Sequence, residues 1–112
     1  MKKLEIVIQP ETLEDLKGIL DDCQANGLMI TNIMGYGNQK GHKKIYRGAE
    51  YSVNLLPKVK VETIVEPDTA EKIIKRVVDE IQTGTYGDGK IFVYEVQDAV
   101  RIRTGERGSN AL

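Results

Sequence analysis

VIQPETLE at residues 7–14 and IVEPDTAE at residues 64–71 are near copies of one pattern. In each copy an apolar run leads to a proline, which an acidic residue and a threonine follow. β-Branched residues favour a strand, whereas proline followed by an acidic residue is typical of the first turn of a helix. The repeated junction therefore predicts two strand-to-helix units in a chain of 112 residues.

The first unit is predicted from alternation and helical spacing. Residues 4–8 carry an apolar side chain at every second position, at Leu4, Ile6 and Ile8, and residues 28–36 contain several β-branched ones, so both are predicted strands. Thr12 is the expected N-cap and Gly27 the expected stop of the helix between them. The apolar stripe of this helix is formed by Leu13, Leu16, Ile19, Leu20 and Cys23.

The second unit repeats this order. The strand predicted at residues 58–65 carries Val59, Val61 and Val65 on one face. Pro67 opens a second helix, with Asp68 and Glu71 as a capping box and Gly84 at its end. The buried stripe of this helix is predicted to be Ile73, Ile74, Val77, Val78 and Ile81.

The remaining elements complete a recognisable order. Residues 91–96 and 100–103 are the last predicted strands, and residues 37–56 are a long polar loop without periodicity. This order predicts an α+β fold, a ferredoxin-like double βαβ sandwich in one domain, residues 1–112. The helices would cover one sheet face, so the other is expected to self-associate; a monomer with a half-solvated sheet is the alternative.

Composition narrows the function classes. The formal net charge of −1 argues against a general nucleic-acid binder, which usually carries a basic excess. Cys23 is the single cysteine, so an internal disulfide is excluded and a reducing compartment fits best. The apolar runs are too short for a signal peptide or a membrane span. We expect a soluble, cytoplasmic protein.

GTYGDGK at residues 84–90 matches the G-x-x-x-x-G-K part of a P-loop, but Ile91 stands where the Mg²⁺-binding Ser or Thr belongs. A predicted helix precedes this segment and a strand follows it, which is the reverse of a P-loop NTPase. Three glycines nevertheless leave backbone N–H groups free to face an anion, with Lys90 beside them. The segment predicts an anion site; a tight helix-to-strand turn is the alternative.

Arg101 and Arg103 alternate with apolar residues, so a strand would place both guanidiniums on one face, where they suit phosphate binding. A solvated face of an edge strand is the alternative interpretation. His42 is the only histidine, which argues against a zinc site and against a His-dependent catalytic triad. The sequence therefore favours a binding protein over an enzyme.

Two stretches match a known family. YRGAEY at residues 46–51 and residues 83–93, which include GDGKIF, resemble the two signatures of the PII nitrogen-regulatory signalling proteins. Residues 39–42, 56–60 and 101–106 also read as in that family. The resemblance covers nearly the whole chain and implies a ferredoxin-like homotrimer that is a regulator and not an enzyme.

The resemblance implies ATP or ADP in clefts between subunits, with 2-oxoglutarate and Mg²⁺ beside the ATP. The nucleotide would contact Gly35, Gly37, Asn38, Gln39, Ile64, Gly87, Asp88, Gly89, Lys90, Arg101 and Arg103. The 2-oxoglutarate would contact Gly37, Gln39, Lys40, Gly41 and Lys58. Gln39 would also bind Mg²⁺ together with ATP. Asn38 stands where the family usually has an arginine, which implies a narrower gap between ATP and ADP affinity.

The resemblance also implies that residues 37–56 are an effector-contacting loop, with Tyr51 as the modifiable residue, and that residues 97–112 form a C-terminal segment. The implied partners are an ammonium transporter, glutamine synthetase or a modifying enzyme; a membrane would be reached only through a transporter, and no nucleic acid is bound. The implied function is regulation of nitrogen metabolism in response to ATP, ADP and 2-oxoglutarate. The alternatives are a PII-like sensor of adenine nucleotides alone, tied to another pathway, and a small ferredoxin-like enzyme or metal-binding trimer.

Overall fold

The structure, a computed structural model, describes residues 1–36, 42–46, 49–53, 55–82, 84 and 87–112. The main elements follow in chain order: β1 Lys2–Ile8, α1 Leu13–Asp22, β2 Met29–Tyr36, β3 His42–Tyr46, β4 Ala49–Val53, β5 Leu55–Val65, α2 Pro67–Ile81 and β6 Gly89–Glu95. Short 3-10 helices stand at Pro10–Thr12 and Gly108–Ala111. Within these described ranges, no helix is long and apolar enough to cross a membrane.

Four strands form one antiparallel sheet in the order β2-β5-β1-β6. β1 lies centrally, with Ile6 opposite Val61 of β5 on one side and opposite Ile91 of β6 on the other. The two strands that lead into helices, β1 and β5, are therefore the two inner strands. This is the ferredoxin-like α+β arrangement, and the prediction of the fold is confirmed.

The core forms between the two helices and one face of the sheet. Alternate residues of β1 and β5 point into it, because successive strand residues face opposite sides. Its buried members are Leu4, Ile6, Ile8, Val59, Val61, Thr63 and Val65 from the strands, and Leu16, Ile19, Leu20, Ala70, Ile73, Val77 and Ile81 from the helices. The predicted stripe of the second helix is wrong at Val78, which is half exposed because it lies beside the stripe and not on it.

α1 ends at Asp22, well before the predicted stop at Gly27. Gln24 takes a left-handed backbone with φ of 61°, and the N–H groups of Gln24 and Ala25 donate to helix carbonyls at 2.9 Å. This is a Schellman closure, in which a left-handed residue satisfies the last carbonyls of a helix. Gly27 instead accepts a hydrogen bond of 2.8 Å from the hydroxyl of the buried Thr63.

Neither helix starts with the side-chain cap that the sequence suggested. Thr12 occupies the N-cap position of α1, but its hydroxyl donates to a preceding carbonyl at 2.9 Å. The capping box of Asp68 and Glu71 is wrong, because α2 begins at Pro67 and its N-cap is Glu66. Proline at the first helical position lacks one of the N–H groups that caps satisfy, so the start is fixed by the ring itself.

The insertion predicted at residues 37–56 lies between the second and third strands of the sheet, but it is shorter than predicted, because β5 already begins at Leu55. Its described part contains a hairpin, in which β3 pairs with β4 from His42 opposite Val53 to Tyr46 opposite Ala49. These strands were not predicted, because His42–Tyr46 shows no alternation and the short alternating run Ala49–Val53 stands within a long polar segment. The pairing relies on backbone groups that every residue except proline carries.

The last predicted strand is wrong. Val100 forms a single bridge with Arg107, and between them the chain makes a tight turn in which the Gly105 N–H donates to the Arg101 carbonyl at 2.7 Å. The alternation expected of a strand is lost in a turn. Arg101 and Arg103 therefore do not share a strand face.

Candidate functional site

The face of the sheet that the helices leave open carries several of the predicted site residues. Lys58 on β5 and Lys90 on β6 alternate with residues that face the core, so both belong to the open face. The glycine-rich turn before β6 closes one end of this face. The candidate site is built where the turn meets β1 and β5.

The glycine-rich turn joins α2 to β6. α2 ends at Ile81, so Gly84, predicted as the helix end, lies within the turn. Gly84, Gly87 and Gly89 have positive φ angles of 81°, 92° and 125°, where residues with a Cβ are strained. A Cβ on Gly89 would lie 2.0 Å from the carbonyl oxygen of Val7. The turn therefore packs directly against the backbone of β1.

Lys58 lies beneath this turn and is only 9% exposed. Its Nζ donates to the carbonyl oxygen of Gly87 at 3.0 Å. Its aliphatic stem passes Gly35, where an added Cβ would lie 3.0 Å from the Lys58 Cγ. The described part of the chain offers this ammonium one neutral acceptor and no carboxylate. Buried charges are ordinarily paired, so this cation is available to an anionic ligand.

Gln9 uses the same acceptor. Its Nε2 donates to the Gly87 carbonyl oxygen at 2.9 Å, so this oxygen receives one hydrogen bond from the end of β1 and another from β5. Gln9 is not among the site residues predicted from the sequence. A signal was available, because the ferredoxin-like strand order places β1 between the strand of Lys58 and the strand that follows the glycines.

Lys90 and Asp88 flank Gly89 and have different environments. Lys90 is exposed on the open face, opposite Val7 of β1. The carboxylate of Asp88 accepts a hydrogen bond of 3.2 Å from the Gly84 N–H, which ties the turn to itself. Lys90 is therefore positioned to contact a ligand, whereas Asp88 shapes the loop.

A second group of predicted nucleotide residues lies elsewhere. Ile64 lines a cavity of about 530 Å³. The cavity is also lined by Gly27, Leu28, Met29, Glu62, Thr63, Ser109, Ala111 and Leu112. Arg101 is next to it, because its guanidinium donates to the main-chain oxygen of Leu112 at 3.0 Å. Ile64 and Lys58 stand on the same strand, roughly 20 Å apart at about 3.3 Å per residue. One chain thus carries two separate groups of predicted ligand contacts.

The other predicted residues are placed only in part. Arg103 is exposed and makes no hydrogen bond or ion pair within the described ranges. Tyr51 lies on β4, where its backbone pairs with Lys44. Five predicted ligand contacts lie outside the described residues: Gly37, Asn38, Gln39, Lys40 and Gly41. The roles of all these residues stay predictions.

The middle of the open face carries a network of opposite charges. Lys3 Nζ lies 3.0 Å from an oxygen of Glu62 and 3.7 Å from one of Glu5, and Lys60 Nζ lies 3.6 Å from the other oxygen of Glu62. The hydrogen bond with Lys3 is the main cause that lowers the pKa of Glu62, and it raises the pKa of Lys3. Lys3 Nζ also lies 5.0 Å from the ring centre of Tyr94. In this network each cation has a carboxylate within 4 Å.

Comparison with known proteins gives a match over almost the whole chain. Residues 1–106 match the family described as Nitrogen regulatory protein P-II. A nitrogen regulatory protein P-II of Rhodospirillum rubrum is 48% identical over 112 residues, which are all of this chain and all of the relative. A protein of the same name from Haemophilus influenzae is also 48% identical over the full length of both chains.

The solved structures agree with these relatives. The structure of B. subtilis GlnK superposes with a TM-score of 0.80 at 38% sequence identity. The match covers 99% of this chain and 97% of that one. Similarity in sequence and similarity in fold therefore extend over the same full length.

Proposed function

Because the chain belongs to the nitrogen regulatory protein P-II family, we propose that it regulates nitrogen metabolism by sensing ATP or ADP and 2-oxoglutarate. It would pass the signal on by direct binding to target proteins. The observation that carries the proposal is Lys58, a cation that is only 9% exposed and has one neutral partner within the described ranges. A regulator that reads an anionic metabolite needs such a cation.

Lys58 suits the distal carboxylate of 2-oxoglutarate. Little water competes for a buried ammonium, so a charge-assisted hydrogen bond gains more there than on the surface. The absence of a side chain at Gly35 makes room for the lysine stem, and the Gly87 carbonyl orients its head. The buried cation would then select a ligand with a second carboxylate at the right distance.

The keto acid and ATP are both anions, so their joint binding requires a cation between them. Mg²⁺ would supply this neutralisation when bound. The described residues contain no group of three His, Cys, Asp or Glu side chains that could hold a metal. On this proposal the ion depends on the neutral amide oxygen of Gln39 and on oxygens of the two ligands. By linkage, 2-oxoglutarate would tighten ATP by the same factor by which ATP tightens 2-oxoglutarate.

The nucleotide would bind between subunits. Gly87 and Lys90 stand at one end of the sheet, and Ile64 and Arg101 at the cavity roughly 20 Å away. A homotrimer could place one end of a chain against the other end of its neighbour, so that both groups face one nucleotide. The open face offers apolar surface for such an assembly at Met29, Phe92 and Tyr94, which are 57%, 45% and 46% exposed.

Residues 37–56 would contact the targets. The hairpin of β3 and β4 is two strands wide, a shape that can enter a pore or a cleft. An ammonium transporter, glutamine synthetase or a modifying enzyme acting on Tyr51 are the proposed partners. Affinity capture from cell extract with ATP, with ADP, or with ATP plus 2-oxoglutarate tests whether the ligand state selects the partner.

Calorimetric titration tests the sensing step. We expect 2-oxoglutarate to release or absorb heat when Mg²⁺ and ATP are present, and not with Mg²⁺ and ADP or without nucleotide. ATP binding without any response to 2-oxoglutarate would favour the sensor of adenine nucleotides alone. Failure to bind either nucleotide would overturn the proposal. Native mass spectrometry at micromolar concentration tests the homotrimer, which a purely monomeric spectrum would contradict.

A further inference from the structure

We propose that Gln9 is a positioning residue that holds the glycine-rich turn while Lys58 shifts from the Gly87 carbonyl to an anionic ligand. The identity of that ligand rests on the proposed function. The structural basis does not: Gln9 Nε2 and Lys58 Nζ donate to the same carbonyl oxygen at 2.9 Å and 3.0 Å.

The shared carbonyl explains why a second donor matters. A carbonyl oxygen has two lone pairs and can accept both hydrogen bonds at once. A carboxylate attracts an ammonium more strongly than a neutral carbonyl does, so an arriving anion draws the Lys58 head toward itself. Without Gln9 the partly buried Gly87 carbonyl would lose its donor at that moment, which is unfavourable. With Gln9 in place the carbonyl stays satisfied.

Gln9 is well suited to this role because it is neutral and itself held in place. An uncharged amide is not drawn to the anion as a second ammonium would be. The Gln9 main-chain carbonyl accepts hydrogen bonds from the Thr12 hydroxyl at 2.9 Å and from the Thr12 N–H at 3.1 Å. These bonds fix the residue at the junction between β1 and α1. The amide therefore reaches the turn from a rigid base.

β1 thus fixes the turn at two points. The Gly89 Cα lies so close to the Val7 carbonyl that an added Cβ would be 2.0 Å from its oxygen. Gln9, the residue directly after β1, holds Gly87. Since both attachments come from β1 and the residue that follows it, movement of the Lys58 side chain on β5 need not move the turn. The lysine can exchange partners while the surrounding site stays formed.

The first test replaces Gln9 with a side chain of similar size that has no donor, in Gln9→Met. Gln97→Met is the matched control, because Gln97 is exposed and its side chain makes no hydrogen bond within the described ranges. Calorimetry with 2-oxoglutarate on the Mg²⁺–ATP form should show about tenfold weaker binding in Gln9→Met. ATP affinity measured alone should stay close to wild type, and Gln97→Met should not change either ligand.

Two results of this titration would overturn the proposal. One is unchanged 2-oxoglutarate affinity in Gln9→Met. The other is a loss of equal size for ATP and 2-oxoglutarate, which would mean that Gln9 supports the site only generally. A wild-type protein that binds ATP but not 2-oxoglutarate overturns the proposed function instead, and the role of Gln9 is then decided without ligand.

Hydrogen exchange in the ligand-free protein provides that decision. Amide exchange around residues 87–92 is compared in Lys58→Met, Gln9→Met and the double variant. If either Gln9 or Lys58 alone can hold the Gly87 carbonyl, amide protection should stay near that of wild type in each single variant. It should fall clearly in the double variant. Complete loss in Lys58→Met alone would show that Gln9 does not hold the turn. Equal protection in all three variants would overturn the proposal as well.

Discussion

Lys58 and Lys60 stand two positions apart on one face of β5, and their surroundings are opposite. Lys60 lies 3.6 Å from Glu62, which also pairs with Lys3 at 3.0 Å. Lys58 is buried against Gly35 and Gly87 and has no carboxylate within the described ranges. The same residue type on the same strand is therefore neutralised in the middle of the sheet and left uncompensated at its end.

The difference shows that the use of a charge is set by its neighbours. Ion pairs that remain in contact with solvent contribute little to stability, and these side chains are partly exposed, so the network mainly neutralises the charges in the middle of the open face. A balanced face can pack against another subunit without burying an unpaired charge. Among the described residues no carboxylate neutralises Lys58, so this end keeps a positive charge that a ligand could pair with.

The largest expected effect separates the two lysines directly. Lys58→Ala should weaken 2-oxoglutarate binding to the Mg²⁺–ATP form by roughly 2–3 kcal/mol, or about 30- to 150-fold, because a buried charge-assisted contact is lost. Lys60→Ala on the same face is the control and should leave this affinity nearly unchanged. Equal losses of 2-oxoglutarate affinity in both variants, measured by calorimetry, would show that Lys58 and Lys60 do not differ in this respect.

The next effect concerns the nucleotide. Lys90→Ala should weaken ATP binding by about 1.5–3 kcal/mol through the loss of a charge-assisted phosphate contact. The melting temperature should stay near that of wild type, because the Lys90 side chain is exposed. Unchanged ATP affinity in a titration would exclude Lys90 from the site.

A smaller effect tests the space that Gly35 leaves for the aliphatic part of Lys58. Gly35→Ala places a methyl group 3.0 Å from the Lys58 Cγ, so the flexible side chain must shift slightly. We expect a few-fold loss of 2-oxoglutarate affinity, well below that of Lys58→Ala. Gly18→Ala is the matched control, since an added Cβ there meets no atom within 4 Å. Equal affinities in the two glycine variants would show that the stem is not confined.

The smallest effect tests the middle of the face. The Lys3 hydrogen bond lowers the pKa of Glu62, so this carboxylate stabilises the folded state above its ordinary titration range, near pH 4.3. That contribution is lost as the pH falls through the lowered pKa. Glu62→Gln should therefore show a slightly flatter decline of melting temperature on acidification than wild type. Glu11→Gln, an exposed residue with no cation partner in the described ranges, should follow the wild-type curve.

The sequence predicted the features that local chemistry determines. The prolines at positions 10 and 67 limit the backbone wherever they occur, and they marked both strand-to-helix junctions correctly. Backbone positions with positive φ favour glycine, so the turn before Lys90 could be predicted from its glycines. Lys58 was predicted from the family resemblance, whereas its burial, and the absence of a carboxylate partner among the described residues, are visible only in the fold.

Features that depend on distant partners were missed. Gln9 acquires its role from the Gly87 carbonyl in the turn before β6, and nothing in its own neighbourhood of the sequence indicates that contact. Arg101 alternates with apolar residues as a strand residue would, but contacts with Glu106 and Leu112 fold its segment into a turn. The periodicity of one segment does not indicate which contacts that segment makes with residues outside it, so it could not show that a turn would replace the strand.

The close contact between Gly89 and Val7 also limits how the gene can change. Every amino acid that a single base substitution can put in place of glycine carries a Cβ. At this position that atom would meet a backbone oxygen at 2.0 Å. We therefore expect every single-base missense substitution at the codon for residue 89 to be unfavourable. Since the contacted atom belongs to the backbone of Val7, no side-chain substitution at residue 7 would remove it.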